Sequence, residues 1–130
     1  MRQFVYISTA AADLSQVDIA DILEASAKNN PRREITGFLV FNGRNFLQLV
    51  EGSEASLMAL MADINRDPRH SGVVRLEDNP ITDRACENWT MKRLMLSDNV
   101  DTRETSLKQT LPEALSPQVR RTILNFASLN

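Results

Sequence analysis

Along the first eighty positions, apolar residues alternate with polar ones, shift to helical spacing, and then repeat that cycle. RQFVYIS, residues 2–8, is rich in β-formers. Period-two alternation puts Phe4, Tyr6 and Ser8 on one face and Val5 and Ile7 on the other. Residues 14–30 then carry helical spacing, with Ile19, Ile22, Leu23, Ser26 and Asn30 on one side and either Asp13 or Ser15 as the cap. Pro31 pushes the residue before it out of the α region, so Asn30 is expected at the very end of this helix, facing inward. EITGFLVF (34–41) and FLQLVEG (46–52) flank Asn-Gly, a strong hairpin signal. A second helix is predicted over 53–67, capped by Ser53, with Leu57, Leu60, Met61 and Ile64 inward. Strands are expected over 72–81 and 87–96, the latter with Trp89, Met91, Arg93 and Met95 on one face. DNVDTRETS reads as a polar loop. Residues 116–129 read as an amphipathic helix with Ser116 as cap and Pro117 in its first turn.

The order is β-α-β-β-α-β, followed by one more strand and a helical tail. The expected class is α+β: a ferredoxin-like βαββαβ sandwich with a fifth strand and a C-terminal helical extension. Two helices cover one face of the sheet, and the tail helix, through Val119, Ile123, Leu124 and Phe126, is the candidate cover for the other. The same tail is also a candidate contact for oligomer formation, and both roles can hold together. The division expected is a domain over 1–97 and an extension over 98–130.

Composition narrows the function. The 130 residues are 42% hydrophobic and 25% charged with a formal net charge of −2, so a nucleic-acid binder with a basic footprint is not expected. One cysteine and one histidine allow neither an intrachain disulfide nor a Cys/His zinc site, and no metal is expected. The opening MRQFVYISTAAADL does not read as a signal peptide, and no apolar run is long enough for a membrane span. A cytoplasmic protein with no membrane contact is the expectation.

The polar residues predicted to face inward carry the chemistry. Gln48 shares its face with Phe46 and Val50, while Tyr6, Ser26 and Asn30 point to the same side of the sheet. A buried amide without a partner costs on the order of 1–3 kcal/mol, so these groups must satisfy one another, a water or a ligand. Any one of them alone is an ordinary core residue or helix end, and Trp89 and Met91 alone are ordinary core. Their convergence is what points to a ligand.

Five stretches, VYIS, the NN at 29–30, ITGFLVFNGRNFLQLVEG, INRDPRH at 64–70 and NWTM at 88–91, resemble in order and spacing the BLUF domains, flavin-binding blue-light sensors. The resemblance covers about residues 2–96. It implies non-covalent FAD between the two helices, with FMN or riboflavin possible on heterologous expression. It makes Tyr6 the redox-active tyrosine, Gln48 the glutamine between that tyrosine and the flavin, and Asn30 a partner of the ring's carbonyl edge. Ile22 and Phe46 belong to the ring's surroundings, and Asn29 to a variable position near it. Ser26, Trp89 and Met91 match positions linked to switching. Asp67, Arg69 and His70 match the loop that holds the ribityl-phosphate and adenosine part. The implied mechanism is light-driven electron and proton donation from Tyr6, then a rearranged Gln48 hydrogen bond and a small red shift without a covalent bond. The resemblance further implies a short stand-alone sensor and no enzyme. It would signal to an unidentified downstream protein and form a homo-oligomer, dimeric or larger. An acylphosphatase-like hydrolase on the same scaffold is the rival, but STAAADL lacks the glycines and arginine of a phosphate-cradling loop. A non-photoactive binding or structural module is the second rival.

Overall fold

The computed structural model describes residues 1–128, apart from the side chain of Val100, so the expected last residue of the tail helix, Leu129, lies outside the described residues. Its elements are β1 (Arg2–Ala10), α1 (Gln16–Arg33), β2 (Thr36–Phe41), β3 (Asn45–Gly52), α2 (Glu54–Arg66), β4 (His70–Pro80), β5 (Lys92–Leu94), α3 (Val100–Thr110) and α4 (Pro117–Ser128). The sheet order is β4-β1-β3-β2-β5. β1 lies antiparallel between β3 and β4, β2 antiparallel to β3, and β5 parallel to β2. This is the expected ferredoxin-like arrangement with a fifth strand.

The alternation read from β1 holds. Phe4 and Tyr6 join Ile19, Ile22, Leu57, Met61 and Ile64 in a core between the sheet and the α1–α2 layer. Val5 joins Leu47, Leu49, Leu107, Val119, Ile123 and Phe126 in a second core on the opposite face. The tail helices therefore cover the second face. α4 is further tied to β4 by Gln118 Nε2 and Thr122 Oγ1, which donate to the buried Glu77 carboxylate at 3.0–3.1 Å.

Ser15, one of the two candidates, caps α1 in a reciprocal box: its Oγ accepts from the Asp18 N–H, and Asp18 Oδ2 accepts from the Ser15 N–H. α1 does not stop at Asn30. It runs through Pro31 to Arg33, and Asn30 sits one turn from the end. Proline removes a single helical N–H here. The last turn closes instead on Glu34, whose left-handed backbone (φ 55°) lets its N–H reach the carbonyls of Asn30 and Pro31.

Two further expectations are corrected. The fifth strand covers three residues rather than 87–96, so period-two alternation starts only at Lys92. Residues 84–91 are held by bonds outside the ladder, among them Gly37 N–H to the Trp89 carbonyl at 2.8 Å. In consequence Met91 and Arg93 lie on the helix side, Trp89 packs on the opposite face against Phe38, and Met95 is exposed. DNVDTRETS is not a loop but most of α3. Asn99 Oδ1 caps it by accepting from the Asp101 N–H, and Lys108 pairs with Glu104 one turn away. Of its residues with described side chains only Leu107 is buried, so no apolar stripe was there to read.

Gly37 makes the tightest approach. A Cβ there would stand 1.9 Å from the Leu49 carbonyl oxygen, a backbone atom that cannot move aside. Gly37→Ala is expected to destabilise the protein by about 1–3 kcal/mol or more, read as a lowered unfolding midpoint in denaturant. An unchanged midpoint would show that β2 and β3 can separate there.

Candidate functional site

Tyr6 and Gln48 meet because β1 and β3 pair with these two residues directly opposite each other. Opposed residues put their side chains on one face, with Cβ atoms about 5 Å apart. Both are buried, yet neither Tyr6 Oη nor Gln48 Oε1 has a hydrogen-bond partner among the described residues. An orphaned buried polar atom costs on the order of 1–3 kcal/mol, and here two share one row of the sheet. Burial pushes the Tyr6 phenol well above its ordinary pKa, so the group is a neutral hydroxyl.

Above this row, α1 and α2 enclose a cleft of about 170 Å³. It gathers most of the residues read from the sequence. Ile22, Ser26, Asn29 and Asn30 line it from α1, Gln48 from the sheet, and Met91 from the segment before β5. Asp67, Arg69 and His70 line it from the α2–β4 junction. Asn30 is anchored by its Nδ2, which donates to the Thr90 carbonyl at 2.6 Å, so the helix and the Met91 segment are fastened together. Arg69 grips Asp67 in a two-point ion pair, Nε to Oδ1 at 3.0 Å and Nη2 to Oδ2 at 2.7 Å. That guanidinium holds the Asp67 carboxyl below the usual range despite partial burial. His70 Nδ1 lies 2.9 Å from Ser8 Oγ, and its ring packs on Phe46 at 4.9 Å between centroids.

Three of the expected residues do not line the cleft. Tyr6 and Phe46 lie beneath it in the sheet, Phe46 as the support of His70. Trp89 is on the other face, with Lys92 Nζ 4.5 Å over its ring. The cleft also has walls that sequence reasoning missed, chiefly Arg33 and Asp63, whose side chains bond across it at 2.7 Å and so tie α1 to α2. Arg33 continues the stripe through Ile22, Ser26 and Asn30 by a further three positions. Reading Pro31 as a stop concealed it.

The set fits a flavin. Ile22, Leu60, Ile64 and Met91 offer apolar contact to ring faces, and the orphaned Gln48 Oε1 offers a polar group where a ring edge needs one.

A family model described as sensors of blue-light using FAD, abbreviated BLUF, matches residues 1–92. The β subunit of a photoactivated adenylate cyclase from Euglena longa is 34% identical over 92 residues, covering 70% of this chain and 11% of its own. Among solved structures, BlrB, a BLUF protein in its dark state, is 28% identical with a TM-score of 0.73, and 96% of each chain is covered. Klebsiella pneumoniae BlrP1, solved with FMN and cyclic diGMP, is 29% identical with a TM-score of 0.82, covering 98% of this chain and 34% of that one. The chain thus spans about a tenth of the curated cyclase relatives it matches.

The single histidine offers a clean test of the site's electrostatics. Burial pushes the His70 pKa below 6.5, with Asp67 acting the other way. A depressed folded value means that the unfolded chain takes up the proton first. Its contribution to stability is therefore complete above about pH 6.5 and is lost as pH falls through the lower folded value. A proton NMR titration of the imidazole is expected to give a midpoint below 6.5, and a midpoint at or above 6.5 would contradict the buried Ser8–His70 contact.

Proposed function

The chain belongs to the BLUF family of blue-light sensors using FAD, and from that premise we propose that Tyr6 and Gln48 form its photochemical switch within a sensor domain over residues 1–97. The observation that carries this reading is the pair of buried, unpartnered polar atoms set opposite each other on β1 and β3. Ser26, Asn29, Asn30, Ile22 and Met91 would hold the ring, and Asp67, Arg69 and His70 the rest of the cofactor.

Bound FAD supplies the blue absorption and an electron acceptor. The Tyr6 phenol, kept protonated by burial, has a proton to lose along with any electron it gives up. Gln48 Oε1 is an unpartnered acceptor on the same row to receive it. An amide both donates and accepts, so Gln48 can bond in two alternative arrangements, by rotation or by a change of tautomer. Leucine offers neither. Met91 and Asn30, joined through the Thr90 carbonyl, then carry the change toward β5.

The chain's own role is sensing rather than catalysis, with the signal passed to an effector protein. The cyclase relatives, of which it matches about a tenth, support that reading. Residues 98–130 form the output or assembly extension. Self-association is supported by the open edge of β4, where Val74 and Leu76 are 51% and 42% exposed. Among the described residues no helix is long and apolar enough to cross a membrane.

Absorption spectra before and after blue light test the switch. The wild-type protein is expected to show a flavin spectrum that shifts slightly red without bleaching and recovers in the dark. Tyr6→Phe and Gln48→Leu are expected to keep the flavin and lose the normal shift. A red-shifted state formed in full yield by either variant would remove these residues from the mechanism.

A further inference from the structure

Glu51 is fully buried, on the face of the sheet away from the cleft. The carboxylate is saturated with donors. Oε1 accepts from Thr36 Oγ1 at 3.2 Å and the Cys86 N–H at 2.8 Å, and Oε2 accepts from Gln3 Nε2 at 3.0 Å and the Ala85 N–H at 2.7 Å. Arg84 completes the cluster, donating to Thr36 Oγ1 and to the carbonyls of Glu51 and Glu34. None of these contacts touches the cleft. The Arg84, Ala85 and Cys86 contacts fasten the start of the segment 84–91 to β2, to β3 and to the end of α1, while Gln3 and Thr36 tie the carboxylate to β1 and β2.

The far end of that segment carries Trp89 on the tail side and Met91 in the cleft. Between the two anchorages, β3 presents Gln48 to one face of the sheet and Glu51, three residues on, to the other. One central strand therefore lines the cleft through Gln48 and holds the 84–91 segment through Glu51.

We propose that Glu51 is a positioning residue through which β3 passes a change at Gln48 to residues 85–89 on the opposite face of the sheet. The side chain has to be a carboxylate. Each oxygen takes two donors, so an amide nitrogen in either orientation would face the Ala85 or the Cys86 N–H. Glu51→Gln thus keeps the shape and breaks the anchorage. This inference rests on the reading of Gln48 as the switching amide.

Trp89 is the only tryptophan, so its fluorescence reports on this segment alone. In wild-type protein its emission is expected to change on illumination together with the flavin red shift. Glu51→Gln is expected to keep flavin and the red shift, lose most of the Trp89 response, and alter the dark-recovery rate by about threefold or more. In the wild-type protein the Ala85 and Cys86 amides are expected to exchange hydrogen faster in the lit state than in the dark. That measurement decides the matter where the variant does not fold. A normal red shift with unchanged amide exchange, or a variant with wild-type Trp89 response and recovery, would overturn the role of Glu51. A wild-type protein with bound flavin and no red shift would instead overturn the reading of Gln48.

Discussion

The pleat of β3 is the constraint on which the molecule turns. It is the central strand, with β1 on one side and β2 on the other, and both of its faces are buried. Phe46, Gln48 and Val50 face α1 and α2, while Leu47, Leu49 and Glu51 face the tail side. A slip of one residue would exchange these sets, sending the carboxylate into the cleft and the switching amide into the tail core. The Asn42–Gly43 turn holds the register. Gly43 takes φ 95°, and Asn42 Oδ1 accepts from the Arg44 and Asn45 N–H groups.

The buried polar groups of this fold divide into two kinds. Glu51, Glu77 and the Ser8–His70 pair have their partners within the protein, and they fasten one element to another. Tyr6 Oη and Gln48 Oε1 have none among the described residues. A polar group that is only structural is normally satisfied by its neighbours. Two unsatisfied ones set opposite each other, under a cleft lined by amides, leave the cost of burial to be met by a ligand. Burial also keeps the phenol protonated and the imidazole neutral, so the site holds hydrogen-bonding capacity with little free charge.

Glu51 and Asn30 hold the same short segment from opposite sides of the sheet, Glu51 through the amides of residues 85 and 86 and Asn30 through the Thr90 carbonyl. Gly37 adds a third bond at Trp89. A segment without regular secondary structure is thereby given a defined course, with Met91 delivered to one face and Trp89 to the other. The tail core that Trp89 joins is built from α3 and α4 as well as the sheet. A displacement of the segment would therefore be felt in the tail core, on the face of the sheet opposite the cleft.

The sequence by itself determined what depends on local periodicity. Alternation in β1 and β3 put Tyr6 and Gln48 inward on a common face, the Asn-Gly turn set the hairpin, and helical spacing turned Ile22, Ser26 and Asn30 the same way. The tertiary structure decided what has no period. The course of 84–91 comes from side-chain bonds to residues 30 to 60 positions away, so the expected long fifth strand and the shared face of Trp89 and Met91 did not survive. α3 is stabilised by its cap and by a single buried leucine, which leaves no apolar stripe along the chain. Arg33 and Asp63 meet only because α1 continues past Pro31 and packs beside α2, a contact that no local pattern encodes.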